Sequence, residues 1–125
     1  AVFGADRIAA NGDTANKIGS AAIGLACKEA GIPCLSVAPV STIDLQTATG
    51  DEIEIEMRNG EEVVNFAGLR TAPVESSGFN PAFDVTPARY LTAIICEHGV
   101  ARAPYKETLA ALAAHERFVH TRARA

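Results

Sequence analysis

No stretch of this 125-residue chain approaches the run of about 18 apolar residues that a membrane-spanning helix needs, and no secretory signal pattern opens it. A membrane role is not expected. A surplus of positive charge is also lacking: 11 Lys and Arg stand against 15 Asp and Glu, for a net charge of −4. Nucleic-acid binding rests on clustered lysine and arginine, so nucleic acid is not expected as a principal partner. The Arg122-Ala123-Arg124 end reads as a solvated terminus. The three cysteines show no Cys-x-x-Cys or other metal-ligand spacing, which suits a reducing cytosol and buried thiols acting as small hydrophobes. Internal repeats and low-complexity segments are absent from the sequence. What is left is a chain of one-domain size that can bury a core.

What is present starts at the first residue. The run Ala1 to Ala5 is apolar without polar alternation, as in a strand buried on both faces of a parallel sheet. Asp6 follows at its carboxyl end, where ligands bind in open α/β sheets, although a turn carboxylate fits the spacing equally well. Beyond the loop Arg7 to Gly12, Asp13 or Thr14 can cap a helix that runs to about Ala30. Gly31 suits the left-handed residue after a helix and Pro33 cannot continue one. Lys17 then falls in the first helical turn, where a cation opposes the macrodipole by ~0.3–1 kcal/mol. A bound anion would reverse that sign, because backbone N–H donors, the Asn16 amide and the Lys17 charge would together hold a phosphate. A solvated surface lysine is the equal alternative.

Farther on, Cys34 to Val40 reads as a second buried strand, with Pro39 ending its regular pairing. Ser41, Thr42 and Asp44 read as turn and cap residues before crevice lining. The strict alternation from Glu52 to Met57 predicts a half-exposed strand, and its glutamates lack a convergent histidine for a metal. Asn59 followed by Glu62 predicts a short helix. Residues Ala72 to Phe83 form a loop long enough to reach the crevice, with Asn80 and Asp84 at its end. Thr86-Pro87 predicts a helix that buries Leu91, Ile94 and Ile95, carries Cys96 near its end and stops at Gly99. A strand around Val100 and a helix from about Tyr105 to Val119 close the domain. Cys27 falls within the first helix and Cys34 at a strand start. His98, His115 and His120 are scattered, as surface or terminal residues, and make no catalytic set.

The run Gly4-Ala-Asp-Arg-Ile-Ala-Ala-Asn-Gly-Asp-Thr-Ala-Asn-Lys-Ile-Gly19 resembles the signature of the methylthioribose-1-phosphate isomerases. Ala38–Leu45, Gly50–Glu56, Asn80–Pro87 and Leu91–Ile95 resemble that family in the same order, so the likeness covers nearly the whole chain. The superfamily also holds ribose-1,5-bisphosphate isomerases and the regulatory subunits of translation initiation factor 2B, which share the Asn-Gly and Asn-Lys-Ile-Gly elements. In the initiation-factor subunits the Gly-Ala-Asp element is typically altered, whereas this chain keeps Asp6 and Arg7.

The resemblance implies an α/β fold, a Rossmann-like parallel sheet flanked by helices. Residues 1–125 would be the C-terminal catalytic domain of a larger two-domain protein, with its N-terminal helical domain and first strands absent. An opening directly on a core strand, without methionine, agrees with that expectation, and a sheet cut along one side would expose an apolar strand edge. The implied activity is the aldose-to-ketose conversion of 5-methylthioribose 1-phosphate to 5-methylthioribulose 1-phosphate, a step of methionine salvage, in a cytoplasmic homodimer. No metal or organic cofactor is implied. Asp6 matches the family's catalytic aspartate. Asn16 and Lys17 match substrate contacts, Lys17 near the phosphate, and Asp84 is given either a supporting role or the bracing of its loop. The family's catalytic cysteine lies on an earlier strand, and Cys27, Cys34 and Cys96 lack its flanking pattern. The alternative is a non-catalytic phosphosugar-binding or assembly module of the initiation-factor type.

Overall fold

A computed structural model describes the backbone of residues 1–123 and the side chains of residues 1–115. In chain order the elements are β1 (Val2–Phe3), β2 (Arg7–Ala9), β3 (Thr14–Lys17), α1 (Ser20–Ala30), β4 (Leu35–Val37), β5 (Ile43–Asp44), α2 (Glu61–Val64), β6 (Asn65–Phe66), β7 (Leu69–Arg70), β8 (Phe83–Thr86), β9 (Ala93–Cys96), β10 (Gly99–Ala101) and α3 (Tyr105–Ala123). Short 3-10 turns at Val40–Thr42, Gly50–Glu52 and Ala88–Tyr90 join them.

Two mixed four-stranded sheets and one hairpin result. The first has the order β1-β4-β9-β10, with β1, β4 and β9 parallel and β10 folded back antiparallel on β9. The second has the order β5-β2-β3-β8, in which β5 and β2 are parallel while β3 is antiparallel to both β2 and β8. β6 and β7 form the hairpin. The main core gathers Ile8, Cys27, Cys34, Leu91, Ile94 and Leu109, so that α1, the parallel strands and α3 close over one apolar centre. Tyr105 is buried there as well, and its hydroxyl donates to the Leu91 carbonyl at 2.9 Å, which satisfies the one polar atom it takes inside.

The helix expected from Asp13 or Thr14 starts later. Residues Thr14–Lys17 are strand β3, and α1 begins only at Ser20, after Gly19 at a left-handed φ of 106°. Neither expected cap is free for that role: the Asp13 carboxylate is taken up elsewhere, and the Thr14 hydroxyl donates to the Gly12 carbonyl at 3.0 Å. The far end of α1 is as expected. Gly31 adopts φ 67°, and the N–H groups of Gly31 and Ile32 close the last carbonyls.

The helix expected from Thr86 to Gly99 is also absent. The chain leaves β8 at Thr86, makes the turn Ala88–Tyr90 and enters β9, between β4 and β10. Ala93 and Ile94 are both buried, as neighbours in a strand covered on both faces must be. Apolar residues at positions 91, 94 and 95 imitate a helical stripe, and a run of this length cannot separate the two readings. Cys96 therefore ends a strand, not a helix.

Between Glu52 and Met57 no regular strand forms beyond one bridge from Met57 to Pro81; Ile53 is buried, Ile55 is half-buried and the glutamates face water, but Met57 is exposed, so the alternation holds only as far as Glu56. The short helix near Asn59 is present as α2, with the Asn59 side-chain Oδ1 accepting the Glu61 N–H at 3.0 Å. β1 is an edge strand with Val2 65% exposed, not a strand buried on both faces. Cys27 and Cys34 are buried, and burial pushes the Cys34 thiol up, against ionisation. His98 is no surface residue: its side chain is only 8% exposed and meets the His115 ring edge to face at 5.6 Å. The side chains of His120 and of the Arg122–Arg124 tail lie outside the described residues.

Asp13 holds the second sheet to its surroundings. Its carboxylate accepts the N–H of Gly50 at 2.9 Å, the N–H of Ala88 at 2.8 Å and the amide of Asn11 at 2.9 Å. Burial pushes this carboxyl upward, but those donors and the Arg89 charge outweigh it and leave the group below its ordinary value. A carboxyl lowered in this way adds stability that is complete above the unfolded pKa and is lost as pH falls through the folded one. Asp13→Ala is expected to cost about 2–4 kcal/mol in urea denaturation at neutral pH, since it strands two backbone donors. Asp13→Asn is expected to flatten the acid limb of the stability profile, measured by the same method from pH 7 down to 2.

Candidate functional site

The expected site residues meet where β1 hands over to the second sheet. Asp6 stands just past β1, is exposed, and donates its N–H to the Ala15 carbonyl at 2.8 Å, which puts it beside β3 one residue from Asn16. On the other side of β3, Asn16 is the register partner of Asp84 in β8, so these two side chains share a face. Asp6, Asn16 and Asp84 are thus brought together by three neighbouring stretches of chain.

Lys17 is placed differently from the expectation. It ends β3 instead of opening a helix, it pairs with Phe83, and alternation turns its side chain to the face opposite Asn16. Its charge acts on Glu62. The Glu62 carboxyl is held low first by hydrogen bonds from Arg58, at 2.9 and 3.0 Å, and from Asn80, with the Lys17 charge adding to them. The argument that a first-turn lysine calls for an anion therefore fails, because there is no unfavourable dipole for the anion to relieve.

The start of α1 is not open to an anion either. The two Asp84 oxygens accept the N–H groups of Gly19, at 2.8 Å, and Ala21, at 3.1 Å. Asp84 thus caps α1 from another strand and fixes the elbow Lys17–Ser20, where the left-handed Gly19 turns the chain from strand to helix. This is bracing through backbone hydrogen bonds, as one of the two expected roles had it, although the braced element is the helix start and not its own loop.

Residues near the site behave as turn chemistry. Arg7 donates to Asp44 at 3.1 Å, and Asp44 also accepts from the Gln46 N–H and the Thr47 hydroxyl. These bonds, the Thr47 hydroxyl first, lower its carboxyl. The Thr42 hydroxyl donates to the Pro39 carbonyl at 2.6 Å. Two hollows flank the parallel strands. An open one of about 680 Å³ lies past the carboxyl ends of β4 and β9, lined by Val37, Ala38, Pro39, Ile95, Cys96 and Glu97. Another of about 330 Å³ lies at the opposite end, where Cys27, Lys28, Arg89 and Tyr90 are among its lining residues. None of Asp6, Asn16, Lys17 and Asp84 lines either.

Sequence reasoning passed over Ser20. Its hydroxyl is buried, accepts the Asn16 amide at 3.0 Å and donates to the Lys17 carbonyl at 2.7 Å. Its signal is a serine directly after a glycine, a pair that suits a left-handed residue followed by a helix start, five or six residues later than the one expected from Asp13 or Thr14.

Residues 1–103 match the pattern of the initiation factor 2 subunit family. The chain belongs to that family. Within it, the chain is 57% identical over 115 residues to a methylthioribose-1-phosphate isomerase of Koribacter versatilis, covering 92% of this chain and 32% of that protein. It is 56% identical over 108 residues to a 5-deoxyribose 1-phosphate isomerase of Petrotoga mobilis, covering 86% and 31%. A crystal structure of 5-methylthioribose 1-phosphate isomerase from Pyrococcus horikoshii OT3 superposes with a TM-score of 0.83 at 50% identity, over 89% of this chain and 31% of that one. The mixed sheets flanked by helices are thus an arrangement shared with this family member. The chain spans about a third of the length of the curated relatives it matches.

Removal of the cap tests the elbow. Asp84→Ala is expected to lower stability by about 1–2 kcal/mol. Hydrogen exchange at Gly19 and Ala21 should quicken selectively, whereas a uniform change across α1 would count against the capping role.

Proposed function

We propose that this chain supplies the C-terminal catalytic part of an aldose–ketose isomerase that converts 5-methylthioribose 1-phosphate to 5-methylthioribulose 1-phosphate, a step of methionine salvage. The observation that carries this reading is Asp6, an exposed carboxylate past the end of a parallel strand and one residue from Asn16 across the ladder. It is supported by the identity of 57% to a relative that bears the isomerase name.

The reaction opens the C1–O bond of the furanose ring and moves the hydrogen of C2 to C1, so that the C2 hydroxyl becomes a carbonyl. The phosphate on C1 prevents the spontaneous ring opening of a free sugar, so an acid must protonate the ring oxygen as the bond breaks. Then either the C2 hydrogen passes to C1 as a hydride while a base takes the C2 hydroxyl proton, or the base takes the C2 proton and returns it to C1 as the hydroxyl proton leaves. One positioned carboxyl can serve both steps, giving its proton in the first and recovering it in the second. In this reading Asp6 is that group, Asn16 binds the sugar, Lys17 lies toward the phosphate and Asp84 supports the site through the helix it caps. The remaining parts proposed for the whole protein are an N-terminal helical domain, a partner cysteine on an earlier strand, a cytoplasmic location and a homodimeric assembly.

The deciding experiment is isomerisation of 5-methylthioribose 1-phosphate by the full-length protein and its Asp6→Asn variant, with 5-deoxyribose 1-phosphate as a second substrate. Turnover is expected to fall by 10²-fold or more in the variant, within the range that positioned acid–base groups contribute. Phosphosugar affinity should change little. Binding without turnover by the wild-type protein would instead identify a phosphosugar-binding or assembly module of the initiation-factor kind.

A further inference from the structure

The strand-to-helix elbow holds a chain of hydrogen bonds whose polarity can be read in one direction only. A backbone carbonyl accepts and never donates, so the Ser20 hydroxyl, 2.7 Å from the Lys17 carbonyl oxygen, must spend its proton there. The same hydroxyl has a second neighbour, the Asn16 side-chain amide at 3.0 Å, and toward it only lone pairs remain. Asn16 must therefore turn its NH₂ to Ser20 and its Oδ1 away. Ser20 is 6% exposed, so water does not compete freely for either bond. Asp84, the register partner of Asn16, cannot change this outcome: its carboxylate oxygens accept from the N–H groups of Gly19 and Ala21 and have no proton to offer. Among the described residues no protein donor reaches the Asn16 Oδ1.

We infer that Ser20 is a positioning residue that makes Asn16 a hydrogen-bond acceptor toward the substrate, so that Asn16 reads a sugar hydroxyl by taking its proton in a hydrogen bond. This rests on the isomerase reading and deepens it. An asparagine free to turn over would offer its donor or its acceptor about equally. One tied at its nitrogen is already set for a hydroxyl and against an ether or ester oxygen at the same place. The effect is on binding common to ground and transition states, and so belongs in KM more than in kcat.

The test is steady-state kinetics of the full-length protein with 5-methylthioribose 1-phosphate, together with calorimetric affinity for the same compound, for wild type, Ser20→Ala, Ser20→Thr, Asn16→Ala and the Ser20→Ala/Asn16→Ala double variant. Ser20→Ala is expected to raise KM and Kd roughly three- to tenfold, the scale of one hydrogen bond, with kcat within about twofold. Ser20→Thr keeps the hydroxyl and should restore both constants. The double variant should bind no more weakly than Asn16→Ala alone, because Ser20 acts through Asn16. Unchanged KM and Kd in Ser20→Ala, or losses that multiply in the double variant, would overturn the inference while leaving the reaction intact. Wild-type binding without turnover would remove the isomerase reading and leave the Ser20 comparison to be decided on Kd. Wild-type protein that neither binds nor turns over the compound would overturn both.

Discussion

The Asp13 carboxylate is the constraint on which the rest of the arrangement depends. It lies in the turn between β2 and β3 and reaches two backbone donors far away in sequence, at Gly50 and Ala88. One belongs to the turn that returns the chain after β5, the other to the turn that leads from the second sheet into β9. By accepting from both, it ties the β2–β3 hairpin to the two connections that leave the second sheet. Gly50 permits this approach, since a Cβ there would meet the Val85 and Asp13 side chains at closer than van der Waals contact. Such a group is stabilising only while charged and fully satisfied; stripped of its donors, a half-buried carboxylate would cost more than it contributes.

Much of the fold was legible in the sequence wherever one physical cause dominated. Gly31 and Pro33 ended α1 where the left-handed cap and the missing N–H required it, and Cys34 entered the core at the start of the second parallel strand. The alternation gave the correct faces from Glu52 to Glu56 but failed at Met57, which is 57% exposed, and its pairing is reduced to a single bridge to Pro81. The failures share another cause. Asp13 and Thr14 are good capping residues by type, but a cap is a use of a side chain, and both were already used in long-range or turn hydrogen bonds that a linear reading cannot see. Leu91, Ile94 and Ile95 have helical spacing by coincidence, and only the burial of both Ala93 and Ile94 shows a central strand.

Of the site, the residue types were legible and their relations were not. Asp6, Asn16 and Asp84 come together because β2 and β8 flank the same strand, and that pairing order appears nowhere in the spacing of 10 or 68 positions between them. Lys17 illustrates the price of a wrong element. Read as helical, it shared an end with Asn16 and left an anion site and a solvated lysine as equal readings; read as the last residue of a strand, it looks the other way, and its charge acts on Glu62. Asp84 shows another case: a supporting role and the bracing of its own loop were both open, and the element its backbone hydrogen bonds hold is the N-terminus of α1.

These relations divide the chemistry of the site. Beside Asn16 stand two carboxylates, one exposed at Asp6 and one, at Asp84, already saturated by backbone N–H groups. An Asn16 acceptor added to them makes a surface rich in acceptors, which suits the hydroxyls of a sugar and repels its phosphate. On the proposed isomerase reading, the phosphate would have to be bound by positive charge or donors elsewhere, with Lys17, whose side chain leaves β3 on the other face, as one cation this part of the chain offers. A strand that ends in an elbow is a suitable device for this division. Alternation separates the acceptor from the cation by one residue, and the capped, left-handed turn after them holds both against the helix that follows. The same Asp84 bonds that occupy the Gly19 and Ala21 N–H groups at the start of α1 thus also hold the elbow that keeps Asn16 and Lys17 on opposite faces.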